Sequence, residues 1–157
     1  MIKNYFSFVL VAIISFFAVS TQANELSIDI KTADAYVRAS IPGTEITSAY
    51  MTIVNNSEKT VTLTKVSSKI SSQIEIHQNI MINDMMKMQK LESVKIKGNE
   101  SLVLQPSGLH LMLFKLTHAL KPNEVVELTL HFSDEQVKVV QLPVKSLKQK
   151  QQHHHHH

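Results

Sequence analysis

From Leu26 onward, apolar and polar residues alternate in short runs, the two-residue period of a strand with one buried face. Ile28 and Ile30 alternate with polar partners, and Ala35-Tyr-Val-Arg38 follows after a break. Ala49 to Val54 ends at Asn55-Asn56-Ser57, which is turn chemistry. Thr60 to Val66 and Gln73 to His77 alternate cleanly. Val94 to Lys97 and Ser101 to Leu104 flank Gly98-Asn99, which predicts a tight hairpin turn. Gly108 to Leu116, Val125 to Phe132 and Gln136 to Leu142 complete the set. Many short strands, frequent turn signals and no amphipathic helix predict an all-β sandwich or barrel in a single domain.

Two segments break the pattern. Asn79 to Lys90 concentrates methionine, with Met81, Met85, Met86 and Met88, and reads as a loop that follows the strand ending at His77. After Pro143 the chain turns polar and ends in five histidines. Residues 145–157 have too little apolar content to pack and read as a disordered tail. At the other end, a basic start at Lys3, an apolar stretch from Tyr5 to Val19 and small residues up to Ala23 read as a secretory signal peptide, residues 1–23. A retained membrane anchor is the other reading of that stretch. The folded domain is then residues 24–144, and no later segment is apolar enough to span a bilayer.

Composition narrows the function classes. Cysteine is absent, which removes disulfides, thiolate nucleophiles and thiolate metal ligands together. The net charge of +3 is spread thinly, and there is no tryptophan, so no basic stripe with aromatic partners points to nucleic acid. No Ser-His-Asp arrangement, paired-carboxylate signature or phosphate-cradling glycine loop is present, and the chain holds only three glycines. It is not read as an enzyme.

Strand parity isolates a different chemistry. In Gly108-Leu-His-Leu-Met-Leu-Phe114, the leucines at 109, 111 and 113 share one face, leaving His110 and Met112 together on the other. By the same rule Ile74 and Ile76 face the core, and Glu75 and His77 face away from it. Two imidazoles with two thioethers suit Cu(I), because thioether is a soft, uncharged donor. Zinc prefers thiolate, imidazole and carboxylate, and a blue-copper centre needs a cysteine. Met86 shares parity with Met88 if that segment is extended and could be a reserve sulfur, but it reads first as a packing or solvent-facing residue. Met51, Met81 and Met85 read as structural, and His118 and His131 as surface residues.

The spacing His77-x10-Met88-x21-His110-x-Met112 resembles the PCuA(C) family of periplasmic copper chaperones. Ala35-Tyr-Val-Arg-Ala39, Pro42, Ala49-Tyr-Met-Thr52, Leu104 to Leu113 and Leu120 to Phe132 resemble it too, so the likeness covers Asp34 to Val144. The resemblance implies a cupredoxin-like Greek-key β-sandwich that binds Cu(I) through His77, Met88, His110 and Met112. It also implies a monomeric carrier in the periplasm, with a copper-acceptor protein as partner, usually the dinuclear copper centre of cytochrome c oxidase. The family has tryptophan where Tyr36 stands and Gly-Gly where Ser107-Gly108 stands, and neither departure is expected to touch a ligand. Envelope copper storage or detoxification without a dedicated client, and a metal-free β-sandwich interaction module, are the alternatives. The terminal run His153, His154, His155, His156 and His157 is either a purification tag or a native tail that would take Cu(II) through nitrogen donors.

Overall fold

Alternation along the chain builds ten strands. The computed structural model describes residues 28–133 and 135–146. The strands are β1 (Ile28–Arg38), β2 (Thr47–Asn55), β3 (Val61–Ser67), β4 (Ser71–Ile82), β5 (Met85–Leu91), β6 (Val94–Ile96), β7 (Ser101–Leu104), β8 (Leu109–Leu116), β9 (Val125–Phe132) and β10 (Val137–Lys145). The described residues contain no helix, as the sequence pattern predicts. The signal-peptide reading and the terminal histidines lie outside the described residues.

Hydrogen bonding runs in one path, β5-β4-β8-β2-β1-β10-β9-β3-β6, with β7 also on β2. Strands β7 and β8 share one edge of β2 end to end, since β7 pairs Met51 to Val54 and β8 pairs Thr47 to Ala49. The path folds over where β1 meets β10 through two parallel pairs, Val37 with Val144 and Arg38 with Lys145. Ile53, Leu111 and Leu113 from one layer meet Leu63, Leu128, Leu130 and Leu142 from the other in one core cluster. Each of these side chains is essentially excluded from water, and fully burying one is worth roughly 1.5–3 kcal/mol.

Three expectations change. Asn79 to Lys90 is not a loop: β4 continues to Ile82, Asn83 and Asp84 make a two-residue turn with φ of 50° and 60°, and β5 returns. Positive φ at both turn positions matches the twist of a two-stranded ribbon, and Asn and Asp tolerate it best after Gly. His77 therefore lies within β4, not at its end. Second, Gly98-Asn99 does turn the chain, with Glu100 N–H donating to Lys97 O, but it joins no hairpin. Strand β6 pairs β3 and β7 pairs β2, so this turn crosses between layers. Gly98 lies hard against the Glu58 backbone, where a Cβ would stand 2.1 Å from the carbonyl oxygen. Buried Asn55 braces the crossing, its amide donating toward Lys59 O, Ile96 O and Lys97 O. Third, β10 runs through Lys145, one residue past the boundary read from composition.

Candidate metal centre

His77 on β4 and His110 on β8 are direct cross-strand partners, with ring centres 6.1 Å apart. They lie on the face of the β5-β4-β8-β2 layer that points away from the core, because Leu111 and Leu113 occupy the inner face of β8. His110 is nevertheless buried, which parity did not predict. Tyr50 and His77 flank it, and Phe114 packs beside His77 at 6.0 Å between ring centres. Tyr36 lies one ring further out, 5.1 Å from Tyr50.

Hydrogen bonds fix the tautomer of each imidazole. His110 Nδ1 sits 2.9 Å from Gly108 O, an acceptor only, so Nδ1 carries the proton and Nε2 keeps its lone pair. The same carbonyl accepts Asn79 N–H at 3.3 Å, tying the β7–β8 turn to β4. Gly108 thus touches a candidate ligand, contrary to the sequence reading, and Ser107 before it holds the left-handed φ of 63° that glycine adopts without strain. His77 Nε2 lies 2.8 Å from Glu75 Oε2 and donates to it. Its Nδ1 is then left with the lone pair, and that atom is buried without a hydrogen-bond partner.

Glu75 also accepts from Gln73 Nε2 at 2.9 Å and pairs with Lys90 Nζ at 3.1 Å. The bond from His77, then those from Gln73 and Lys90, hold its carboxyl at about 2, well below the usual carboxylate range. Lys90 stands directly across β5 from His77, so Glu75 also draws that ammonium away from the imidazole.

The two sulfurs lie diagonally about His77. Met112 pairs with Glu75 and Met88 with Asn79, so each is one diagonal step from His77, on the strand to either side. Such diagonal neighbours are about 7–8 Å apart at the backbone, within reach of long side chains. Met112 Sδ accepts Ser48 Oγ–H at 3.2 Å, which orients the thioether. Met88 is exposed. A late first-row ion sits about 2 Å from imidazole nitrogen, hence about 3 Å from the ring centre. Two such distances add to about 6 Å, so the observed 6.1 Å separation is at the upper limit of what one ion can bridge, and four-donor binding would draw the two rings together. Among the described residues no three His, Cys, Asp or Glu side chains gather into a cage for a harder ion.

Four contributors escaped the sequence reading as parts of this site: Glu75, Gly108, Ser48 and Asn79. Only Glu75 carried a signal, its parity with His77. Met81 and Met85 are exposed and do not pack, against the structural role expected for them, whereas Met51 is core. His131 bonds Ser67 Oγ and His118 faces Glu124, both outside this face.

The family model described as "Putative lipoprotein LpqE-like" matches residues 30–144, most of the chain. The chain belongs to the LpqE-like family. A relative of this LpqE-like chain, "Putative lipoprotein Lxx21020" of Leifsonia xyli subsp. xyli, is 29% identical over 117 residues, 74% of this chain and 69% of that one. Among solved structures, the copper-bound PCuAC domain from PmoF2 superposes with a TM-score of 0.64 at 19% identity, over 76% of this chain and 93% of that one. The Cu(I) form of DR1885 from Deinococcus radiodurans matches at 30% identity and a TM-score of 0.56, over 71% of this chain and 75% of that one. The all-β, cupredoxin-like fold and the PCuA(C) resemblance both stand.

Proposed function

We propose that this LpqE-like protein is a copper carrier that holds Cu(I) between His77 and His110, with Met88 and Met112 completing the site. One observation carries the reading. Two adjacent imidazoles each commit one nitrogen to an oxygen acceptor, Glu75 Oε2 and Gly108 O, and so present the other as an unprotonated donor. Imidazoles that bind metal are held this way, with the second ring nitrogen bonded to a carboxylate or carbonyl. Two uncharged thioethers then favour a soft monovalent ion over zinc or magnesium. The copper-bound forms of the PmoF2 domain and of DR1885 support the same cargo.

The mechanism is exchange without chemistry on the ion. Met88, exposed on an edge strand, is the donor an acceptor displaces first. Met112 and the two imidazoles, held by Ser48, Glu75 and Gly108, keep the ion until incoming ligands replace them in turn. We take the acceptor to be another copper protein of the cell envelope, with the dinuclear copper centre of cytochrome c oxidase as the destination. The likeness to proteins described as "Putative lipoprotein" supports a site of action outside the cytoplasm. No helix among the described residues is long and apolar enough to cross a membrane.

X-ray absorption on the Cu(I)-loaded protein tests the assignment by counting neighbours. Two nitrogen and two sulfur scatterers are expected, with one sulfur lost in Met112→Leu and one nitrogen lost in His110→Ala. Unchanged scattering and affinity in both variants would defeat it.

A further inference from the structure

The β4–β5 hairpin exposes sulfur that packing does not explain. Met81, Met86 and Met88 are 63%, 59% and 61% exposed, although methionine is ordinarily among the more buried residues. Register puts all three on the face that carries the histidines. Met81 is the direct cross-strand partner of Met86, and Met88 is two residues further along β5, toward His77. Direct partners have Cβ atoms about 4.5–5.5 Å apart, close enough for two flexible thioethers to share one ion.

The rest of that face is suited to a soft cation. Between the sulfur pair and His77 lies Asn79, which is neutral and has a buried, unpartnered Oδ1. Lys87 is paired with Ile80 and has the opposite parity, and Lys90 is held by Glu75. Neither ammonium has cause to stand over the sulfurs. Donor strength also rises inward, from thioethers alone to thioether with imidazole.

We propose that Met81 and Met86, with Met88 as the shared donor, form an outer thioether site for Cu(I), from which the ion passes inward to His77, His110 and Met112. The proposal deepens the reading of the inner site and rests on it. Transfer keeps the Cu–S bond to Met88 while the bonds to Met81 and Met86 break as Cu–N bonds to His77 and His110 form, and the thioether of Met112 then completes the inner site. The ion stays Cu(I) throughout, so no electron or proton moves.

The test uses Ag(I), a redox-inert monovalent probe of similar softness, on the full chain with ¹³C-labelled methionine methyl groups. The first equivalent is expected to shift Met88 and Met112, and the second to shift Met81 and Met86, with core Met51 as the unmoved reference. The double variant Met81→Leu, Met86→Leu should keep the first response and lose the second, and should slow uptake of the first equivalent in stopped flow. Met81 and Met86 signals that stay fixed through two equivalents, or uptake at the wild-type rate in the double variant, would overturn the outer site and leave the inner one standing. A first equivalent that leaves Met112 unmoved would instead defeat the inner site, and the outer one with it.

Discussion

Glu75 accepts the Nε2 proton of His77 at 2.8 Å and thereby determines that Nδ1 is the nitrogen this ring offers a ligand. The same carboxylate holds Lys90, the residue directly across β5 from His77. One side chain thus sets a tautomer and restrains a competing cation.

Removing it should weaken copper binding without unfolding the domain. Glu75→Ala is expected to lower Cu(I) affinity by about 10–100-fold, the usual effect of losing a hydrogen-bond partner behind a metal ligand. Glu75→Gln should fall between, since its amide oxygen still accepts the proton but carries no charge to hold Lys90. Competition against a chromophoric Cu(I) chelator measures both, and wild-type affinity in Glu75→Ala would remove Glu75 from the site.

The acid limb follows from the same contacts. Glu75 titrates at about 2 in the fold against an ordinary 4.5. A depressed carboxyl contributes its stability in full above the ordinary value and loses it as pH falls toward the folded one. Stability from these contacts should therefore decline between about pH 4.5 and 2. Copper affinity should already fall as acidification lets protons compete for imidazole nitrogen, at a pH where Glu75 is still ionised. NMR titration of the Glu75 carboxyl checks this, and in His77→Ala its midpoint should move up toward the ordinary value.

Affinity and stability should separate by face of β8. Leu111→Ala empties a fully buried core position and should cost about 2–5 kcal/mol in chemical unfolding. Met112→Leu, one residue on and facing outward, should cost under about 1.5 kcal/mol while sharply reducing Cu(I) binding. Equal losses of stability in the two variants would contradict the two-faced strand.

Ser107 offers a test of the turn that holds His110. Its φ of 63° costs an L-residue roughly 1–2 kcal/mol, which exceeds the extra chain entropy that glycine loses on folding. Ser107→Gly should therefore raise stability by about 0.5–1 kcal/mol, read as a higher denaturant midpoint with an unchanged slope.

How far the sequence carried the reading depends on which forces act locally. The strands were legible because alternation at Leu109, Leu111 and Leu113 records a buried face directly. The β4–β5 hairpin was not. Its outer strand buries almost nothing, so the brief alternation of Met86 and Met88 with Lys87 and Gln89 records no buried face, and only the Asn83-Asp84 pair marked the turn. Gly98-Asn99 marked a real turn whose flanking strands go to different partners, a choice made by long-range packing against Glu58 and Asn55. At the site, parity put His77, His110 and Met112 on outward faces but carried no information on which strands are neighbours. Ser48 and Gly108 were invisible because they act through contacts with residues distant in sequence or through the backbone.

The place of β5 at the end of the sheet has a consequence for timing. It is hydrogen-bonded on one side only, to β4, and of its seven residues Leu91 alone is partly buried. Hairpins of this kind close in about 1–10 μs, and a ribbon with so little core contact opens far more readily than the sandwich unfolds. Each opening would swing Met88 away while the remaining three donors stay anchored on β4 and β8. On the proposed reading the hairpin is a latch, and its rate of fraying, which substitutions at Ile82 or Leu91 would tune, would set a clock for letting the ion go.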